Sequence, residues 1–528
     1  MKVDVCIVGG GICGVLAAHG CIERGLSFVL LEKNSSLGGC WQTLANDHST
    51  LQAFEPNYRW HEDYKLSKDP LTRNSAETVR TTMKRFVDDF GINEHTHLMT
   101  RVDSVDRDGE GFAVSATDLI TGDNRHYSSD FLFVACGILS HDQWTLEERG
   151  IDVHQDFNGK VMYAARKDGK DCPIASMDLT GKRVLIVGSG SFAAEAMEAA
   201  ERQGCEDITM IGRPRYRLIL PFSRQYTVSA IANCPLVPWS LRMRIALSYI
   251  KRSYYNPCNL SHWAPKGKPD EMDFAGQCND GIFRLSHTGK LKCVVGRLNA
   301  LSDGQAHLES GESIHCDHVI VASGLKYNLT PDFLYANLGL DFTKLHNFAF
   351  LGKNPRIGCA ADFLFAYVPF GPMKQLQMFF HAVDCCKKGL EKVSPAMMTT
   401  RLQVHVNNTF LFLTGDYQRL ASDAITKPWR WLPQWRPNGW ELYFLRVFPL
   451  VVDAKQSFRG AHQLYASNIG RRSMPQKIAL RLGFLSENLV EWTRCIGRSY
   501  REITRFKVFG QSKSHNSGAK RSTIHVTC

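Results

Sequence analysis

The chain has 528 residues, 44% of them hydrophobic and 22% charged; these are the proportions of an ordinary globular protein long enough for two or more cored domains. Its net charge of +11 is concentrated, because residues 471–528 carry twelve Lys/Arg against three Asp/Glu, so the main body is close to neutral and lacks the charge of a nucleic-acid binder. The seventeen Cys are scattered without a Cys-x-x-Cys pair and no apolar run reaches ~18 residues, which excludes a disulfide framework and a membrane-spanning helix and reads as reduced thiols in a cytoplasmic protein.

The first strand begins by Val3, which leaves no room for a signal peptide ahead of it. Residues 3–8 are a short apolar run, dense enough for a buried strand. Gly9-x-Gly11-x-x-Gly14 follows, then a helical stretch over 15–24, a second apolar run over 28–31, and Glu32. The first glycine suits a tight turn, the second lets backbone approach a pyrophosphate, and the third lets helix and strand pack closely. The helix N-terminus supplies N–H donors to phosphate. Glu32, 23 residues after Gly9, can accept hydrogen bonds from ribose hydroxyls. Gly38-Gly39-Cys40-Trp41 makes a second glycine turn. Strand, turn, helix, strand and acid in this order predict a dinucleotide-binding unit.

Residues 42–75 are polar and aromatic with no clear period, as in stretches that cover a bound cofactor; they include Gln52, Glu55, Pro56, Asn57 and Tyr58. A helix is predicted over 75–90, with Val79, Met83, Phe86, Val87 and Phe90 on one side and Gly91 as its stop. Strand-like segments follow at 97–105, 111–117 and 125–128, and an apolar run over 131–135 ends in Cys136-Gly137. A linker over 140–180 precedes a second signature. There an apolar run over 183–187 leads into Gly188-Ser189-Gly190-Ser191-Phe192-Ala193, a helix over 194–203 and a strand over 207–211. Arg213 comes 25 residues after Gly188, about where the first unit has its acid. An acid there would repel a 2′-phosphate, whereas Arg pairs with it. The second unit is therefore expected to prefer NADPH over NADH; the alternative is that Arg213, Arg215 and Arg217 form a solvated face.

Residues 214–275 read as an irregular insert with a helical patch near 239–252, and 282–320 as β-rich. The run 318–322 leads to Ser323-Gly324 and echoes Val134-Ala135-Cys136-Gly137; such strand ends let a chain cross between domains beside a cofactor. An apolar stretch over 345–371 ends in Phe370-Gly371-Pro372, and a helix is predicted over 373–388. Residues 428–452 interleave Trp429, Trp431, Trp435, Trp440, Tyr443 and Phe444 with Arg430, Arg436 and Arg446. They read either as a peripheral membrane contact, with the basic tail, or as a helical cap packed on the body. Residues 511–528 are polar and expected to be disordered.

Together the motifs resemble the flavin-containing monooxygenase family in the wide sense, which includes N- and S-oxygenating enzymes and the Baeyer–Villiger monooxygenases. The residues that carry the resemblance are GGGICG at 9–14, GGCW at 38–41, GSGSFA at 188–193 and HVIVASG at 318–324. The family's F-x-G-x-x-x-H segment is matched at Phe157 and Gly159, but Tyr163 stands where the His belongs. The likeness spans residues 1–390 and implies an α/β fold. Its FAD-binding domain, 1–150 and 325–395, is interrupted by an NADPH-binding domain at 175–325. A mainly helical C-terminal extension at 396–510 has no counterpart in the family.

The resemblance further implies which residues do what. Gly9, Gly11, Gly14, Glu32, Lys33, Gly39, Trp41, Val102, Cys136, Gly137 and Gly371 would hold FAD. Gly188, Ser189, Gly190, Ser191, Ala193, Arg213, Ser323 and Gly324 would lie on the NADPH side. NADPH would reduce the flavin, and dioxygen would form a C4a-hydroperoxyflavin that oxygenates a nitrogen or sulfur nucleophile in a small molecule. Tyr163, Gln52 and Asn57 are the candidates beside the reacting centre. Tyr163 can donate a hydrogen bond but cannot carry a proton at neutral pH as His does. Baeyer–Villiger oxidation of a ketone is the alternative, and Ala164, Ala165 and Arg166 after Tyr163, in place of Trp-Pro or Trp-Asp, count against it. A non-oxygenating sensor or NADPH oxidase that keeps both cofactors is a further alternative. Disulfide reduction is not expected, because Cys40 has no second Cys a few residues away.

Overall fold

The computed structural model describes residues 1–52, 58, 60–61, 63–69, 71–167, 169–212, 219–232, 239–264, 278–328, 330–342, 344–346, 350–352, 354–360, 370–387, 401–407, 410–413, 493 and 496–505. Asn57, Arg213, Arg215, the aromatic stretch 428–452 and the tail 511–528 lie outside the described residues.

Two parallel sheets organise the chain. In the first, Lys2–Val8 is buried almost end to end because Val5, Cys6 and Ile7 face neighbours on both sides, as a central parallel strand requires. It pairs in parallel with Phe28–Leu31 on one edge and with Asn124–Val134 on the other, Val5 standing opposite both Phe28 and Phe131. Thr96–His97 lies outside the former, and Ile357–Cys359 outside the latter, both parallel. The crossover helix Ile12–Ile22 buries Val15, Leu16, Ala17 and Ala18. It meets the helix Phe370–Lys387 so closely that a Cβ on Gly20 would come within 2.3 Å of the Phe380 ring. Thr100–Asp108 and Gly111–Asp118 form an antiparallel flap joined to Asn124–Val134.

The second sheet repeats the plan. Arg183–Val187 runs parallel between Asp207–Gly212 and His318–Val321, with Leu291–Val295 and Lys160–Tyr163 at the edges. Helix Ser191–Arg202 turns Ala193, Ala194, Ala196, Met197, Ala199 and Ala200 inward. Alanines let helix and sheet approach closely, and they favour helix at no side-chain entropy cost. The chain passes between the sheets twice, at the two small-residue strand ends. Leu139–Gln143 and Leu325–Tyr327 then pair antiparallel as a two-stranded ribbon.

The helical patch expected near 239–252 is helix Trp239–Ile250; the rest of the insert, expected to be irregular, adds helix Gln225–Ala232 and a π-helical turn, Lys251–Tyr255. The insert buries Tyr226, Ala246, Ile250, Tyr255 and Trp263 in the same core as the second sheet. Helix Gln225–Ala232 has 8 residues, about two turns, too few for a 3.6-residue period to stand out. In the extension expected to be mainly helical, the described residues include two strands, Arg401–Asn407 and Phe410–Leu413. The former pairs antiparallel with Lys344–His346 and so lengthens the first sheet. Residues 496–505 are helical.

Candidate cofactor site between two nucleotide-binding units

Each sheet ends in a glycine turn built from the same contacts. In the first, Gly9 N–H donates to Leu31 O at 2.8 Å and Ala135 N–H to Val8 O at 2.7 Å. In the second, Gly188 N–H donates to Ile211 O and Ala322 N–H to Val187 O, both at 2.8 Å. Gly9 has φ +103° and Gly188 φ +132°, in the region that L side chains avoid. A Cβ would strike the facing carbonyl oxygen at 2.5 Å from Gly9 (Ala135) and 2.1 Å from Gly188 (Ala322). Both positions therefore exclude every residue but glycine, for backbone strain and for space.

The third position separates the units. A Cβ on Gly14 would lie 1.9 Å from Gly9 O, whereas Ala193 fits, fully buried, in the second turn. The second glycine turn completes the first cradle. Gly38 N–H donates to Gly10 O at 2.9 Å, and a Cβ on Gly39 would sit 2.8 Å from the Gly11 Cα. Gly9, Gly11, Gly14 and Gly39 thus converge on one rim at the N-terminus of helix Ile12–Ile22. Cys136 and Gly137 follow the neighbouring strand end, and Trp41 begins the next segment. The indole Nε1 of Trp41 donates to Tyr58 Oη, and Arg80 Nη1 donates to its carbonyl oxygen at 3.2 Å.

Glu32 is buried beside this rim. Its Oε2 accepts from Gly10 N–H at 2.6 Å, and its Oε1 accepts from the backbone and side chain of Asn34 at 2.8 and 2.6 Å. A carboxylate offers about four acceptor directions, so these bonds orient Glu32 and leave capacity for ribose hydroxyls. Lys33 is exposed. Val102 lies in the flap, where it packs in the core and pairs with Ala116. Gly371 lies in the first turn of helix Phe370–Lys387.

Register refines the reading of the second unit. Leu31 stands opposite Val8, and Ile211 opposite Val187. The residue matching Glu32 is therefore Gly212, and Arg213 matches Lys33. A Cβ on Gly212 would come within 3.0 Å of both the Ser189 Cβ and the Trp263 ring. Where the first unit presents a carboxylate, the second presents bare backbone against Ser189. Gly190 precedes helix Ser191–Arg202 as its N-cap, so Gly188, Ser189, Gly190 and Ser191 line one turn. Ser323 and Gly324 lie across from it on the second crossing, where Ser323 Oγ donates to Trp144 O at 3.2 Å and Arg149 Nη2 to Ser323 O at 3.1 Å.

Tyr163 ends the edge strand Lys160–Tyr163, half-buried and opposite Val321. Gln52 lies elsewhere, on the segment that leaves the first cradle and runs against the second unit. That segment makes contacts the sequence did not reveal. Asn46 Nδ2 donates to Ala164 O at 2.9 Å, and Asn46 Oδ1 accepts from Cys172 N–H at 2.7 Å. Ser49 Oγ donates to Glu195 Oε2 at 2.6 Å, and Thr50 N–H to Glu195 Oε1 at 3.2 Å. Arg73 Nη1 reaches both carboxylate oxygens of Glu198 at 3.0 Å. Glu195 is buried on a helix face of alanines, and burial pushes its carboxyl up to about 7 against the pull of its two donors. An acid inside the otherwise apolar face of SFAAEAMEAA is the one signal that could have found it.

The described residues fit two dinucleotides of different kinds. Each turn brings a glycine to a helix N-terminus, Gly11 in the first and Gly190 in the second, where free backbone N–H groups suit a phosphate. One turn has a buried acid for ribose hydroxyls, and the other has none to repel a phosphate. The family model for pyridine nucleotide-disulphide oxidoreductases matches residues 3–227. A probable FAD-binding monooxygenase, AlmA, from Acinetobacter sp is 22% identical over 364 residues, 62% of this chain and 69% of the relative. Among solved structures, cyclohexanone monooxygenase in its open form has a TM-score of 0.54 at 16% identity, covering 74% of this chain and 88% of that one. Oxidized steroid monooxygenase bound to NADP has a TM-score of 0.54 at 15% identity, covering 74% and 86%. Fold and site thus define an α/β protein with two dinucleotide-binding domains of the flavoprotein oxidoreductase type. Within that class the chain is similar to the flavin-containing monooxygenases in the wide sense.

Proposed function

We propose that the protein is an FAD-dependent monooxygenase that uses NADPH and dioxygen to oxygenate a nitrogen or sulfur nucleophile in a small molecule. The observation that carries this reading is the contrast between two turns of the same build. The first carries the buried Glu32, which would serve a ribose, and the second carries Gly212 at the matching register, with Arg213 next in sequence, a pair that would admit a 2′-phosphate. The name of the Acinetobacter relative, an FAD-binding monooxygenase, supports it.

FAD, when bound, supplies hydride acceptance and oxygen activation. The chain's own residues bind and orient. The N–H groups around Gly11 and the start of helix Ile12–Ile22 would hold the FAD pyrophosphate, and Glu32 its ribose. The N–H groups from Gly188 to Ser191 would hold the NADPH pyrophosphate. The segment through Asn46, Ser49 and Thr50 ties the two units together through Ala164 and Glu195. Tyr163, at the end of its strand, offers a hydroxyl donor where the family has a proton carrier.

The test is oxygen-18 labelling with purified protein, after its flavin has been extracted and identified. With NADPH, labelled dioxygen and a thioether or tertiary amine, the product carries one labelled oxygen per NADPH consumed. Label in an ester formed from a ketone would instead establish the Baeyer–Villiger reading. NADPH consumption with hydrogen peroxide as the sole oxygen product would establish an oxidase. Protein that retains no FAD would remove all three.

A further inference from the structure

We propose that Glu502, on helix 496–505, is a positioning residue: it caps helix Gln225–Ala232 and, through Gln225, fixes segment 46–52 between the two nucleotide units. The proposal rests on the reading that those units hold FAD and NADPH.

Glu502 is fully buried. Its Oε1 accepts from Tyr226 N–H at 2.8 Å, and its Oε2 accepts from Thr227 N–H at 2.8 Å and Thr227 Oγ1 at 2.9 Å. These are first-turn donors of helix Gln225–Ala232, which have no partner within the helix. The cap is delivered from 275 residues away in sequence. A buried carboxyl without donors would be strongly unfavourable; the helix N-terminus and the neighbouring Arg224 offset part of that cost, and burial still raises the carboxyl above its ordinary range. Arg224 is itself buried, and its Nη1 donates to the Glu502 carbonyl oxygen at 3.3 Å.

The same helix makes further contacts on both sides. Ser499 Oγ donates to Thr227 Oγ1 at 3.0 Å, and the Arg498 guanidinium lies 5.2 Å from the Tyr226 ring centroid. Arg505 pairs with Asp69, on the first unit's segment.

The residue next to the capped pair transmits the effect. Gln225 is fully buried, and its Nε2 donates to Gln52 O at 2.9 Å. Gln52 Oε1 accepts from Cys278 N–H at 3.0 Å. Two residues before Gln52, Thr50 N–H reaches Glu195. On this segment and the stretch beside it, Thr50 Oγ1, Gln52 Nε2, Arg73 Nε and Nη2, and Asn74 Nδ2 are buried without a hydrogen-bond partner among the described residues. Buried polar groups in native proteins are paired or await a ligand or water. The placement of this segment therefore decides where a set of unused donors is presented. Helix 496–505, from the part of the chain with no counterpart in the family, sets that placement.

The experiment compares wild-type holoprotein with Glu502→Ala, Glu502→Gln and, as a control on the same helix, Tyr500→Ala, whose side chain is exposed. Hydrogen exchange by mass spectrometry is the first readout. Loss of a cap of ordinary strength makes amides in 225–232 exchange ~10-fold faster in Glu502→Ala, and those in 46–52 follow, while 2–31 are unchanged. Glu502→Gln keeps one acceptor oxygen and gives a smaller change in the same two segments, so the test survives if Glu502→Ala does not fold. Tyr500→Ala changes neither segment. The second readout is the fraction of NADPH consumed that appears as oxygenated product. That fraction falls in Glu502→Ala, while the KM for NADPH, set at Gly188–Ser191, is unchanged. Faster exchange in 225–232 with none in 46–52 overturns the positioning role, and no change in either overturns the cap. The exchange readout needs no turnover, so a protein without oxygenase activity would sink the proposed function and leave this inference standing or falling on its own.

Discussion

Glu32 and Gly212 occupy the same place in two copies of one turn, and the difference between them predicts coenzyme choice. A phosphate beside Glu32 would meet a buried carboxylate whose oxygens are already oriented by Gly10 and Asn34. Beside Gly212 it would meet backbone and Ser189. Arg213→Ala is expected to raise the KM for NADPH roughly 10- to 100-fold, the range of one charge-assisted hydrogen bond, and to leave the KM for NADH nearly unchanged. Equal loss for both coenzymes would remove Arg213 from 2′-phosphate recognition. Gly212→Asp is expected to depress NADPH use further, because it restores the repelling charge. Counting from Gly188 places the arginine near the acid's position, but counting cannot tell position 212 from 213. Strand pairing does, because Ile211 stands opposite Val187 as Leu31 stands opposite Val8.

The two strand–turn–helix elements were legible because their glycines answer local demands that any sequence reader can apply. The same demands predict an asymmetry. Gly14→Ala puts a methyl group 1.9 Å from a backbone oxygen, and neither partner is a flexible side-chain end. Protein purified from that variant is expected to lose its flavin and melt at lower temperature. Ala193→Gly opens space instead of filling it, and costs only the ~1 kcal/mol that glycine forfeits in a helix, so nucleotide binding by the second unit survives. Flavin content and melting temperature of the two variants check this, and a Gly14→Ala protein with full flavin would refute the steric account. Other elements were not legible for identifiable reasons. In the insert, helix Gln225–Ala232 is only 8 residues, about two turns, too few for a period to stand out, and Tyr255 and Trp263 are buried from a π-helical turn and an irregular turn. Arg401–Asn407 pairs with an edge of the first sheet more than 50 residues earlier, information that a local window lacks, and Phe410–Leu413 pairs in turn with Arg401–Asn407.

At the scale of the molecule, the sequence shows two nucleotide units but not how they are held together. The contacts that join them span 118 residues from Asn46 to Ala164 and 146 from Ser49 to Glu195. No motif announces a Ser or an Asn in an aperiodic stretch. Glu195 makes this junction responsive to pH. Its carboxyl is raised from 4.5 to about 7, chiefly by burial, while Ser49, Thr50 and Arg73 lower it and Glu198 adds to the rise. The folded protein therefore holds a proton on Glu195 between those values, whereas the unfolded chain has released it. Stability falls as pH climbs through that window and levels off above it, by a total of about 3 kcal/mol for a shift of this size. Glu195→Gln keeps an acceptor for Ser49 or Thr50 and carries no proton to lose. Urea unfolding midpoints at intervals from pH 5 to pH 8 are expected to fall in the wild type and to fall less in Glu195→Gln. The variant should match the wild type near pH 5 and exceed it at pH 8. Glu502, raised to about 8, and Asp280, also raised by burial, contribute slopes of the same sign to both proteins, so the difference between the two curves isolates Glu195. Parallel curves would mean that the Ser49–Glu195 junction is ionised throughout, with its two donors outweighing the burial of the charge.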